Sequence, residues 1–204
     1  MSNTQHIAVI RLSAMGDVAM TVPVLRALPV QSPQVKVTVI SRELYKPFFG
    51  DIPNVSFFAA DVKGKHKGFL GLFRLYRELR KLNIDAIADL HNVLRSKVVT
   101  ALCKLKGTKK ATVYKARVEK KALTRAENKK FKPLMPGTQR YADVFKELGF
   151  EIDLSKTVLT GVKPLSAEVI ATTGKKDGKW VGIAPFAQHQ GKVYPQDLMQ
   201  QVID

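Results

Sequence analysis

The chain has 204 residues, 45% of them hydrophobic, with 34 Lys/Arg against 17 Asp/Glu for a formal net charge of +17. That hydrophobic content excludes a disordered chain, and the single cysteine, Cys103, excludes an internal disulfide and fits a reducing compartment. The N-terminus shows no secretory signal and no window reaches the ~18 apolar residues of a spanning helix, so a soluble cytoplasmic protein is expected.

The first apolar run, HIAVIRL (6–12), reads as a buried strand, and DVAMTVPVLRAL (17–28) as a helix kinked by Pro23. β-branched runs predict further strands over 35–41 and 54–60. In FLGLFRLYRELRKL (69–82) helical spacing puts Leu72, Leu75, Tyr76, Leu79 and Leu82 on one stripe, with Arg74, Arg77, Arg80 and Lys81 off it. A fourth strand is predicted over 84–90, a helix over 93–105 and a short fifth strand over 110–115. Residues 116–137 read as basic and irregular, and TQRYADVFKELG (138–149) as a helix closed by Gly149. Strands alternating with helices form right-handed crossovers. The expected fold is therefore α/β: a Rossmann-like, mostly parallel sheet with helices on both faces.

The composition then changes. TGVKPLSAEVIATTGKKDGK (160–179) mixes Gly, Pro and Lys around a short helix capped by Ser166, and reads as a linker. WVGIAPFA (180–187) is expected to begin a new strand, and PQDLMQQVID (195–204) a helix with proline at its first position. The expected organisation is one domain over 1–160, a linker over 161–179 and the start of a second domain over 180–204.

Charge is concentrated in the middle third: residues 63–132 hold 21 Lys/Arg and five Asp/Glu. Such a stretch points to an anionic partner, whether nucleic acid, a phosphorylated glycan or an anionic membrane surface, or else to a well-solvated basic face. In doubly wound sheets ligands lie beyond the carboxyl ends of the strands. Three loops predicted there carry polar residues: 13–17, 89–95 and 188–192. The first lacks both G-x-G-x-x-G and G-K-[ST], which removes the support for a dinucleotide or ATPase site. His6, His66, His91 and His189 are scattered and Cys103 stands alone, so no metal site is expected.

Four blocks carry a specific resemblance. IRLSAMGDVAMTVPVLRAL resembles the opening of the glycosyltransferase family 9 heptosyltransferases, and ADLHNVLRSKVVTAL resembles that family's Asp-Leu-(Gln/His)…Arg-Ser segment. TQRYADVFKELGF is similar to its helix before the interdomain linker, and VGIAPFAQHQGKVYPQDLMQQVI to the start of its nucleotide-sugar domain. The resemblance implies a GT-B fold, with this chain supplying its N-terminal, acceptor-binding half and the threshold of the donor half. It also implies inverting transfer of heptose from ADP-heptose to the inner core of lipopolysaccharide. No cofactor is implied beyond ADP-heptose as donor substrate. Gln188, His189 and Gln190 depart from the small hydroxyl residues that many members place near the donor phosphates.

The chemistry assigns candidate roles. A sugar hydroxyl needs a carboxylate to take its proton as it attacks, and Asp17 matches the family's base; its other reading is a helix N-cap. Lys192 matches the position that neutralises the departing diphosphate, or is an ordinary exposed lysine. Arg95, Ser13 and His91 are acceptor-binding candidates, with Arg95 suited to a bidentate contact with phosphate or carboxylate. Their other readings are a solvated first-turn arginine, a turn-forming serine and a polar loop residue. VKGKHKG (62–68) and 104–132 are read as the surface facing a phosphorylated lipopolysaccharide core acceptor and the anionic inner membrane. Two alternatives stay open: a transferase of the same fold with another nucleotide-sugar donor, and a basic nucleic-acid-binding module. The second rests on charge alone, since between 104 and 132 only Tyr114 and Phe131 offer stacking faces, and nucleic acid is not an expected partner.

Overall fold

The computed structural model describes residues 5–105, 107–157, 164–187 and 189–204. The chain divides into two compact units, Met1–Thr160 and Gly161–Asp204.

In the first unit, β1 (Gln5–Ile10), β2 (Val35–Ser41), β3 (Val55–Ala59), β4 (Ala86–Asp89) and β5 (Lys109–Thr112) form one sheet in the order β3-β2-β1-β4-β5. Every pairing is parallel. The strand order reverses between β1 and β4, so the crevice beyond their carboxyl ends is the topological switch point of the sheet, where such folds bind ligands.

Alternation along β1 separates two apolar layers. Ile7 and Val9 join Leu25 and Leu28 of α2 (Val22–Gln31) and Tyr141 and Phe145 of α6 (Gly137–Glu147). Ala8 and Ile10 join Leu72, Leu75 and Leu79 of α3 (Gly68–Arg80) and Val99 and Cys103 of α4 (Leu94–Lys104). Both faces of the sheet are covered, as its continuous apolar strands require.

Several local expectations are corrected. The helix expected over 17–28 is two helices, α1 (Met15–Ala19) and α2, because Pro23 has no N–H and fits only the first turn of a new helix. Thr21 makes the joint: its hydroxyl donates to the Val18 carbonyl at 2.7 Å, and its own carbonyl accepts from Leu25 N at 3.0 Å. Residues 116–137 are not all irregular, since α5 (Arg117–Thr124) forms there with no buried residue. Gly149, with φ of +99°, lies one residue past the Leu148 cap of α6 and permits the bond from Phe150 N to the Phe145 carbonyl. β1 and β5 stop at Ile10 and Thr112, leaving residues 11–12 and 113–115 as extended loops at the carboxyl end.

In the second unit, α7 (Ala167–Thr173) starts as expected, with Ser166 Oγ accepting from Val169 N at 3.3 Å. Residues 180–187 form no strand. A strand exists only where a ladder partner does, and none pairs with this run among the described residues, which leaves Val181 and Phe186 exposed. Pro195 is the N-cap of α8 (Gln196–Ile203), not its first helical residue.

Candidate active site

Two loops meet at the switch point. Leaving β1, Arg11 stays in the extended chain, its N–H bonded to the Ile40 carbonyl at 3.2 Å and its carbonyl accepting from Ser41 Oγ at 2.5 Å. This anchors a buried guanidinium. Its Nη1 donates to the Leu90 carbonyl at 2.6 Å, its Nη2 pairs with Asp17 Oδ2, and it sits 5.8 Å from the Tyr141 ring centroid. Asp17 lies in the first turn of α1 with its side chain 54% exposed. The N-cap of α1 is Ala14, which corrects the capping alternative for Asp17: its carboxylate turns to Arg11 instead. Oδ1 of Asp17 has no hydrogen-bond partner among the described residues.

The β4 loop is held from beneath by Asp89, which is fully buried. Its Oδ1 accepts from the backbone N–H groups of His91 and Asn92 at 3.0 and 2.8 Å, and its Oδ2 from the Ser96 hydroxyl at 2.9 Å. Asn92 takes φ of +50°, which asparagine tolerates, and its amide donates to the Val113 carbonyl, tying this loop to the end of β5. His91 is thereby set beside Ser13, with Nε2 3.3 Å from the serine hydroxyl. Burial, reinforced by the charges of Arg11 and Lys115, pushes the His91 pKa down to about 4, so its ring is neutral at neutral pH. Arg95 stands in the first turn of α4, where its charge adds to the pressure on His91, but it is not a wall of the cleft that holds Asp17.

That cleft has a volume of about 280 Å³ and is lined by Arg11, Asp17, Met20, residues 113–115, Lys120, Gly137, Arg140 and Tyr141. Four cationic side chains surround one carboxylate. Burial and the neighbouring Arg117 and Arg11 push the Lys115 pKa down. Nε of Arg11 and Nε of Arg140 are buried and make no hydrogen bond among the described residues.

Of the candidates read from sequence, Ser13, Asp17 and His91 thus come together at one end of the sheet, with Arg95 at the edge of the group. Lys192 belongs to the second unit, exposed on a short 3-10 turn (Gln190–Lys192) and without an ion pair among the described residues. Gln188 lies outside the described residues. Sequence reading did not single out Arg11, Arg140 or Tyr141, and took Lys115 only as part of the basic stretch 104–132. Arg11 and the Arg140–Tyr141 pair lie inside two of the quoted blocks, but only the fold shows them lining one cleft with Asp17.

The lysine-rich loop proves more ordered than its composition suggests. Asp61 accepts from the N–H groups of Gly64 and Lys65, and the fully buried His66 accepts from Asp61 N at 3.0 Å while its Nε2 lies 3.3 Å from Glu78. Lys65 is paired with Glu78, whereas Lys63 and Lys67 are exposed. Among the described residues no group of three His, Cys, Asp or Glu is arranged to hold a metal, and no helix is long and apolar enough to cross a membrane.

Comparison with known proteins bears on the fold. No family model matches the chain. The lipopolysaccharide core heptosyltransferase OpsX of Haemophilus influenzae is 26% identical over 102 residues, which is 50% of this chain and 28% of that relative. A glycosyl transferase family 9 structure from Veillonella parvula superimposes with a TM-score of 0.71 at 20% identity, covering 100% of this chain and 60% of that one. E. coli heptosyltransferase WaaC with ADP gives 0.61 at 17% identity, covering 98% and 63%. The chain therefore spans about six tenths of the length of these two structures. Its fold is that of glycosyltransferase family 9 structures, and the expected resemblance to heptosyltransferases is met in sequence over the 102 residues matched to OpsX.

Proposed function

We propose that this chain is the acceptor-binding portion of an inverting glycosyltransferase that moves heptose from ADP-heptose to the inner core of lipopolysaccharide. In this reading Asp17 takes the proton of the acceptor hydroxyl through Oδ1 while Arg11 holds Oδ2. The hydroxyl oxygen bonds to the anomeric carbon as the bond from that carbon to the diphosphate breaks, and ADP leaves from the opposite face. One displacement inverts the centre and needs one base. Lys192 neutralises the departing diphosphate. Arg140, Lys120 and Arg95 hold acceptor phosphate or carboxylate groups, and neutral His91 with Ser13 hydrogen-bonds its hydroxyls. ADP-heptose is the donor substrate, and the mechanism calls on no further cofactor. The domain organisation follows: acceptor domain over 1–160, linker over 161–179, and the first part of the nucleotide-sugar domain over 180–204. Exposed lysines in 62–68 and 104–132 meet an anionic inner-membrane surface from the cytoplasmic side.

The observation that carries this reading is Asp17 itself: a half-exposed carboxylate at the switch point, in a cleft lined by Arg11, Lys115, Lys120 and Arg140. A phosphorylated lipid A–core fragment titrated into the chain tests it. Binding that Arg140→Ala weakens by about tenfold supports an acceptor site, since a charge-assisted pair is worth roughly 1.5–3 kcal/mol. Equal affinity for arbitrary DNA, with no effect of Arg140→Ala, would overturn it.

A further inference from the structure

The outward face of α3 is not uniformly polar. Its inner stripe sends Leu72, Leu75, Tyr76 and Leu79 into the core. Phe69, Leu70 and Phe73 share the opposite side of the first turns, since residues three and four apart are neighbours on a helix, and they are 77%, 88% and 50% exposed. Further along, the same face turns basic through Arg74, Arg77 and Arg80, all exposed. Before the helix, Lys63 and Lys67 stand exposed and make no ion pair among the described residues.

The base of this tip is fixed. Asp61 pins the loop backbone, His66 is fully buried beneath it, and Gly71 lets the His66 backbone cross the helix closely. Phe69 and Leu70 are therefore held outward by the backbone that carries them. Three adjacent exposed large apolar side chains mark an interaction site. The cations on both sides name its chemistry: an apolar layer bordered by negative charge, which is what an anionic bilayer offers at its headgroup–acyl boundary. The tip follows β3, and the Asp17 loop follows β1. Because the strands are parallel, both lie at the carboxyl end of the sheet.

We propose that the first turns of α3 are a membrane-insertion tip, with Phe69, Leu70 and Phe73 entering the boundary of an anionic bilayer while Lys63, Lys67 and Arg74 hold its headgroup phosphates. The proposal rests on the anionic-membrane reading given above and adds an apolar component to it. It orients the molecule with the Asp17 end of the sheet toward the bilayer, so that an acceptor anchored there reaches the cleft without leaving the membrane.

Vesicle sedimentation of the 204-residue chain tests it, with phosphatidylglycerol/phosphatidylethanolamine vesicles compared with phosphatidylcholine alone. The double variant Phe69→Ser/Leu70→Ser changes only exposed side chains, and it should weaken binding to anionic vesicles by roughly 10- to 100-fold at low and high salt alike. In a Trp180→Phe background, the indole introduced by Phe69→Trp should shift to the blue on binding and be quenched by brominated lipid. Binding that salt abolishes but the double variant does not touch would overturn the insertion tip and leave the charge reading standing. Absence of vesicle binding at every ionic strength would overturn both. Concentration-dependent dimerisation that the double variant abolishes, without vesicle binding, would assign the tip to a second copy of the chain and overturn the proposal.

Discussion

Asp17 and Arg11 divide one task between two environments. The buried guanidinium is held by the Leu90 carbonyl as well as by the carboxylate, so its position does not depend on Asp17 alone. Asp17→Asn keeps an oxygen for Arg11 but removes the proton acceptor. In a fusion of this chain to the donor half of a family 9 heptosyltransferase, it should lower ADP release by ~10²–10⁴ while the denaturation free energy changes by about 1 kcal/mol or less. Unaltered turnover would remove Asp17 from the mechanism. His91 gives a second prediction. Its folded pKa of about 4 lies below the ordinary 6.5, so between these values the unfolded chain binds a proton that the folded chain refuses. Stability should fall as pH drops through that window, by about 1–2 kcal/mol after solvent screening is allowed for. Urea denaturation of the parent and of His91→Gln at pH 7 and pH 4.5 isolates the effect, and the variant should lose less than the parent. Ser13, Asp17 and His91 were legible in the sequence because the loops after β1 and β4 fall at the carboxyl end of the sheet and lie in blocks that resemble a known family. Arg11 was not, since a buried arginine looks like any other until the Leu90 carbonyl and Tyr141 ring that receive it are in place.

Elements whose order comes from local pattern were readable, and those that depend on distant partners were not. The strand predicted over 35–41 forms over those residues because its β-branched run pairs on both sides, with β1 and with β3. The α3 stripe was equally plain, since four of its five predicted positions are buried. By contrast, α5 has three apolar residues in eight and starts from Ala116 at φ of +49°, where no glycine or asparagine marks a start. The run 180–187 has the composition of a strand but finds no ladder to join among the described residues. Gly71 shows how a long-range contact can reverse a local rule. In a helix interior Gly→Ala is ordinarily worth about 0.5–1 kcal/mol in favour of alanine. Here a Cβ would come within 2.8 Å of His66 Cα and 2.9 Å of its carbonyl oxygen, both of them backbone. Gly71→Ala should therefore destabilise the chain by about 1–3 kcal/mol in chemical denaturation. A stabilised variant would show that the crossing of loop and helix is looser than described.

At the scale of the whole molecule, the two units differ in what holds them together. The first has apolar layers on both faces of a five-stranded sheet, whereas no described residue of Gly161–Asp204 is buried. Stability should accordingly reside in the first unit. Removal of residues 161–204 should shift Tm by ~2 °C or less, and the amides of residues 164–187 should exchange with solvent far faster than those of β1 and β2. The same asymmetry bears on the donor. Lys192 can offer a diphosphate one exposed ion pair, a contact worth about 0–1 kcal/mol, and among the described residues of its unit none is buried so as to enclose a base or ribose. ADP affinity of the 204-residue chain should therefore be millimolar or weaker, because a micromolar constant needs about 8 kcal/mol. Without donor affinity the anomeric carbon is not held near the acceptor hydroxyl, and a proximity contribution of roughly 7–11 kcal/mol is lost. The polypeptide by itself should bind acceptor yet release ADP from ADP-heptose only at background rate. Calorimetric titration with ADP and an ADP-release assay with a lipid A–core acceptor check both statements. A micromolar ADP constant, or turnover matching that of a two-domain heptosyltransferase, would show that Gly161–Asp204 builds a donor site that its exposed side chains do not reveal.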